Sequence, residues 1–261
     1  MIPVEDFFIG LNRKCVSWST KKRYHLSFRI AEKIGVDLNN LDQDKVDQIF
    51  FHIVNNGFSN ATKITEWKAY KTFIRRYYPN IDLKPYIIPK QDKPPQILTI
   101  EEMEKMINRS KSFRNQVLIA LLYESGCRIG ELLSLKKENI EFDSKGAILI
   151  VNGKTGWRRI RVVNCANILK RYVKDKEGLL FPVCDNFVRR VIKRLAVRCN
   201  IKKRVYPHLF RHTRATHLAR HLTEPEMRMF FGWSKESKMT SVYVHLSGRD
   251  LDEKVCSLYG K

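Results

Sequence analysis

The sequence predicts a mainly α-helical protein with one small β-sheet, an α+β chain in two parts. Apolar residues recur at the 3–4 spacing of a helix through most of the 261 residues. One pair of short β-prone runs, residues 147–151 and 158–163, surrounds Asn-Gly-Lys-Thr-Gly, a hairpin signal. Residues 79–96 hold five of the nine prolines, and proline fixes φ and disfavours helix in the residue before it. The expected layout is a helical domain over 1–80, an extended linker over 81–96 and a mixed domain over 97–261.

Each element has its own local reason. A short helix is expected over residues 3–11. Thr20 can cap the next, whose apolar face is Tyr24, Phe28, Ala31 and Ile34, with Gly35 as the stop. Val46, Ile49, Phe50 and Ile53 mark a third helix ended by Gly57. Ile64, Trp67, Phe73, Ile74 and Tyr77 mark a fourth ended by Pro79. This bundle carries no catalytic cluster. In the second part, Thr99 and Glu102 form a capping box that opens a helix. An apolar helix over 117–122 ends near Gly126. In the second strand Ile160 and Val162 alternate with Arg159 and Arg161, which predicts one cationic face. Val188, Val191, Ile192, Leu195 and Ala196 give another helix, with more helix beyond. Leu251, Val255 and Leu258 fall on one stripe of a C-terminal helix, to be buried in its own domain or a neighbour's.

Charge narrows the function. Lys plus Arg number 49 against 27 Asp plus Glu, a net of +22, which points to a polyanion such as nucleic acid. Residues 97–261 hold 33 of the basic and 17 of the acidic side chains, so most phosphate contacts are expected there. No run of about 18 apolar residues exists, so no membrane span is expected. The N-terminal MIPVEDFFIG has no basic region before an apolar stretch, so no signal peptide is expected. The six cysteines show no CxxC or tight pairing, which suggests a reducing, cytoplasmic setting.

Four separated pieces carry reactive side chains. Arg128 lies in Gly-Cys-Arg-Ile-Gly-Glu, where one helix stops and another starts, with Glu131 as a candidate partner. Lys154 sits at the hairpin tip. His208 and Arg211 are three apart, so one helix face can present both to one oxyanion. Trp233 follows Gly232, and Tyr243 precedes Val-His; a tyrosine hydroxyl becomes a nucleophile beside a cation or base. The pairs His208/His212 and His217/His221 have the i,i+4 spacing of a helical zinc site. No HExxH glutamate or cysteine cluster accompanies them, and Arg211 and Arg214 would repel a cation, so no metal is expected.

Taken in order, these pieces resemble the catalytic domain of the tyrosine recombinase (phage integrase) family. GCRIGELLSL is similar to its first arginine box, NGKTGWRRIRVV to its lysine hairpin, PHLFRHTRATHL to its second box, and FGWSKESKMTSVYVHL to its third. The layout resembles Xer-like members, and YVHLSGRD looks like archaeal integrases. The resemblance implies a helical core-DNA-binding domain followed by a mixed catalytic domain. It implies a site-specific recombinase that cuts and rejoins duplex DNA through a 3′-phosphotyrosine, for integration or excision of a mobile element or Xer-type dimer resolution. By the same resemblance, Arg128 and Arg211 clamp the scissile phosphate and Tyr243 attacks it. Lys154 protonates the 5′-oxygen, His208 assists proton transfer at the tyrosine, and Glu131 orients Arg128. Trp233 takes the place often held by a second histidine. Ten positions separate Trp233 from Tyr243 where nine are usual, so either the loop carries an extra residue or another residue fills that place. Two guanidiniums and a lysine supply the positive charge, so no cofactor is expected. The expected partners are a double-stranded recombination site and further copies of the chain, forming a tetramer on DNA, with no membrane. Lys84, Lys90 and Lys93 of the linker and Arg159 and Arg161 of the hairpin are the expected DNA contacts. The alternatives are a non-catalytic DNA-binding protein of the same fold and a type IB topoisomerase-like relaxing enzyme.

Overall fold

The computed structural model describes residues 3–89, 96–153, 156–237, 239–240, 243, 255–256 and 258–259. As the sequence predicts, the fold is mainly helical with one small sheet. It divides into two compact units, Met1–Lys93 and Pro94–Lys261.

The first unit packs α1 (Pro3–Arg13), α2 (Trp18–Lys33), α3 (Gln43–Asn55) and α4 (Asn60–Tyr77). Asp42 and Ser59 cap α3 and α4 by accepting the N–H of Lys45 at 2.8 Å and of Thr62 at 3.2 Å. The cap of α2 is Ser17 and not Thr20, whose own N–H donates to Ser17 Oγ at 3.4 Å. The core is aromatic: Phe7, Phe28 and Phe73 meet edge to face or tilted with centroids 5.1–5.7 Å apart. One carboxylate is buried with them. Glu66 accepts Ser27 Oγ at 2.6 Å and the Arg23 guanidinium at 2.7 Å. Residues 81–89, expected as part of the linker, lie against this core through Tyr86, which packs on Phe50 and Trp67 at 5.0 and 5.2 Å and bonds Gln43 and Asp47.

The second unit starts with α5 (Ile100–Asn108), opened by the Thr99/Glu102 capping box, and α6 (Phe113–Ser125). Then come the short α7 (Ile129–Leu133) and an antiparallel sheet of β1 (Ile140–Asp143), β2 (Gly146–Gly153) and β3 (Gly156–Val162), in that order. The helices α8 (Ala166–Val173), α9 (Asp185–Arg198), α10 (Pro207–Leu218) and α11 (Glu224–Phe231) complete it. β1 and α8 are additions to the sequence reading; both are short, and IEFD carries two acids among four residues. α6 is apolar on all sides because it runs through the centre of the unit, with Val117 to Leu122 all buried. Its left-handed cap at Gly126 (φ +58°) admits the Phe231 ring so closely that a Cβ there would lie 2.5 Å from Cε1. Of the expected tail stripe, Val255 and Leu258 are exposed and Leu251 lies outside the described residues.

Candidate active site

The site is assembled where helix ends converge. α10 begins at Pro207, whose fixed φ suits a first helical position, and puts Leu209 and Phe210 in the core. His208, Arg211 and His212 come off the same two turns. Arg211 is only 3% exposed, yet among the described residues no carboxylate pairs with it. Its guanidinium donates to the carbonyls of Gly126 at 2.8 Å and Phe231 at 2.5 Å. These are the cap of α6 and the last residue of α11. Helix C-termini leave carbonyls without helical partners and carry partial negative charge, so two of them hold one buried cation without neutralising it. Burial, with Arg128 and Arg158 nearby, lowers Arg211 to about 10, which leaves it charged at neutral pH. The rings of Phe231 and Trp233 flank the guanidinium at 5.1 and 5.8 Å.

Arg128 precedes α7, and Glu131 accepts both its backbone N–H and its guanidinium at 2.8 Å. Glu131 also takes a two-pronged contact from Arg158, at 3.0 and 2.6 Å. Burial pushes its carboxyl up, but the hydrogen bonds from Arg158 and Arg128 outweigh that and hold it at about 2. The strand approaches this carboxylate at Gly153, where a Cβ would lie 2.4 Å from Glu131 Oε1. Arg128 and Arg158 therefore share one carboxylate and Arg211 pairs with none, an excess of two positive charges among these described side chains.

Arg128, His208, Arg211, Trp233 and Tyr243 line one cavity of about 470 Å³, with Gly232, Ser234, Ser237 and Met239. Tyr243 is 1% exposed and its ring lies parallel to Trp233, 4° apart in plane and 5.6 Å in centroid. Its hydroxyl is bonded to His212 Nδ1. Burial pushes the phenol up to about 12, against the pull of Arg211. Burial also lowers His208, to about 4, and His212; Arg211 adds to both.

A model of the phage integrase family matches residues 96–249. The chain belongs to the phage integrase family. It is 31% identical over 163 residues to a tyrosine recombinase of Pseudothermotoga lettingae, a match covering 58% of this chain and 57% of that one. It is 31% identical over 191 residues to the tyrosine recombinase XerA of Saccharolobus solfataricus, covering 70% of this chain and 64% of that one. The chain spans less than two thirds of the length of these two curated relatives. Among solved structures, the XerH site-specific recombinase bound to palindromic difH substrate, in its post-cleavage complex, shares the fold. Its TM-score is 0.77 at 20% identity, covering 93% of this chain and 81% of that chain.

In this integrase-family chain the structure brings together five of the six expected catalytic side chains, with Glu131 behind them. Trp233 and Tyr243 stack even though one extra position separates them. Lys154 lies outside the described residues, as do Lys90 and Lys93. Lys84 and Arg159 are exposed. Arg161 is tied by two hydrogen bonds to Asp143, at 2.8 and 2.7 Å, and is not a free cation on the sheet. Two residues escaped the sequence reading. Arg158 faces Val151 in the same row as Ile160 opposite Leu149 and Val162 opposite Ala147. The alternation that set Arg159 and Arg161 outward places Arg158 on the apolar face, where a cation needs a carboxylate. His212 was weighed only as a zinc ligand; its ring instead stands edge-on to His208 at 4.6 Å and bonds Tyr243. The other pair is likewise engaged, since His217 Nδ1 bonds the Tyr123 hydroxyl at 2.8 Å. Among the described residues no group of three His, Cys, Asp or Glu side chains is placed to hold a metal ion, and no helix is long and apolar enough to cross a membrane.

Proposed function

We propose that this protein is a site-specific DNA recombinase that cuts and rejoins duplex DNA through a 3′-phosphotyrosine on Tyr243. The observation that carries the reading is the meeting of Tyr243 with two guanidiniums in one cavity, Arg128 sharing its carboxylate with Arg158 and Arg211 having none. A phosphodiester brings one negative charge and gathers more on its non-bridging oxygens as the tyrosine attacks. Fixed donors aimed at those oxygens lower the barrier most. Arg211 is pre-aimed by helix ends and Arg128 by Glu131, so neither needs to reorganise as the reaction proceeds. The Tyr243 oxygen bonds phosphorus, the bond from phosphorus to the 5′-oxygen breaks, and Lys154 gives that oxygen a proton. Rejoining runs the same steps backwards. His208 and the Trp233 N–H complete the donor set around the phosphate.

The substrate is double-stranded DNA, drawn in by the +22 charge. Lys84, Lys90, Lys93 and Arg159 contribute phosphate contacts, and the helical unit also binds DNA. A relative of the fold, a lambda integrase, has been solved as a tetramer bound to a Holliday junction, and we assign the same assembly here. The working compartment is the cytoplasm. The test uses a pool of nicked duplexes randomised across the site, which trap any covalent product. Wild-type protein should yield a detergent-resistant adduct and Tyr243→Phe none, while the variant still retains duplex in a gel shift. An adduct persisting in Tyr243→Phe, or none with the wild type, would remove this reading.

A further inference from the structure

We propose that His212 takes the proton from Tyr243 as it attacks DNA and returns it when the strand is rejoined. The inference rests on Tyr243 being the nucleophile. His212 is the residue after Arg211 on α10, so one turn of helix supplies both the clamp on the phosphate and a base for the attacking oxygen. Its Nδ1 is already hydrogen-bonded to the Tyr243 hydroxyl, and the two rings are 5.9 Å apart, tilted by 40°.

A phenol held near 12 supplies almost no phenolate at neutral pH, so its proton must leave during the attack. Of the side chains against Tyr243, Trp233 is a donor only and Arg211 stays protonated. His212 sits below its ordinary pKa, through burial and then Arg211, and is therefore neutral at pH 7. A neutral ring that accepts at Nδ1 carries its proton on Nε2 and has one lone pair, aimed at the phenol. His208 does not offer this. Its ring meets His212 edge-on and lines the cavity with Arg128 and Arg211, while the phenol's bond goes to His212. The proton balance closes. Tyr243 loses its proton to His212 as the oxygen–phosphorus bond forms, and the new imidazolium lies beside an anionic phosphate that favours it. The departing 5′-oxygen takes its proton from Lys154, and in the reverse direction the imidazolium protonates the departing tyrosine oxygen.

Two variants and two substrates test the assignment. His212→Ala removes the acceptor. His212→Asn keeps a hydrogen-bonding atom near the Nδ1 position but cannot take a proton. On nicked duplex, both should form adduct about 10²–10⁴-fold more slowly than wild type, with duplex affinity unchanged. A substrate with sulfur in place of the bridging 5′-oxygen needs no proton on its leaving group. It should leave both variants as slow relative to wild type as before. Wild-type speed in His212→Asn would reduce His212 to a positioning residue and overturn the proposal, as would rescue of either variant by the sulfur substrate. Should His212→Ala not fold, His212→Asn decides alone. Absence of adduct in wild-type protein would instead count against Tyr243 as nucleophile, so the two failures are distinguishable.

Discussion

The two units bury charge in opposite ways. In the helical unit, Glu66 is buried beside Ser27 and Arg23, one carboxylate to one guanidinium, and the group is electrically closed. In the mixed unit, Arg128 and Arg158 share Glu131, and Arg211 rests on carbonyls alone. A neutralised buried charge holds elements together. A buried cation held by dipoles alone is left to be completed by an anion from outside, and desolvation strengthens its hold on that anion. The contrast singles out the cavity beside Arg211 without reference to any motif.

The contrast can be broken at four points. Glu131→Gln should have the largest effect, because it strands the buried Arg158; a loss of about 3–5 kcal/mol is expected in chemical denaturation. The wild type should show the matching acid dependence. Glu131 is held at about 2, below its ordinary 4.5, so its contribution is fully present above 4.5 and is lost as pH falls toward 2. The glutamine variant should have a shallower slope in that window. Arg211→Ala comes next. Cleavage of nicked duplex should drop about 10²–10³-fold, the scale for one preorganised donor, and lysine should restore little because it lacks the planar fork. Its melting temperature should barely fall, since a cation without a counter-ion contributes little to folding. A large fall would make Arg211 a structural residue.

Glu66→Gln probes the other unit. About 1–3 kcal/mol of stability should be lost, with cleavage by the folded protein unchanged. Slower cleavage would erase the division between the units. The smallest effect is expected at Asp143→Asn, which frees the half-exposed Arg161. Melting should not shift, while the salt dependence of duplex binding should steepen by about one unit of log–log slope. An unchanged slope would place Arg161 away from DNA.

Most of the helical elements were legible because their signals are local. Thr99 and Glu102 cap within three residues, and Gly126 stops a helix within its own turn. The cap of α2 was misplaced because Ser17 and Thr20 are both competent, and only the backbone shows which side chain receives an N–H. Tyr86 was hidden in the Pro-rich stretch because what orders it is Asp47 and Gln43, about 40 residues earlier. In the site, Arg128, Arg211 and Tyr243 could be named because the boxes that hold them resemble, in order, those of the family; each alone reads as an ordinary helix-start, helix-face or core residue. Arg158 and His212 were obscured by their neighbours. Each stands next to a residue already assigned, and only strand register or helix phase separates the two.

Gly153 sets a limit on how this protein can change over evolutionary time. The strand meets the Glu131 carboxylate with no room for even one carbon, and Arg158 grips the same carboxylate from the returning strand. The root of the hairpin is pinned on both sides to the turn that carries Arg128. Insertions and deletions can therefore be absorbed only beyond residue 153, toward the tip. Tip length becomes a property that lineages can retune alone, leaving the ion pairs of Glu131 with Arg128 and Arg158 untouched.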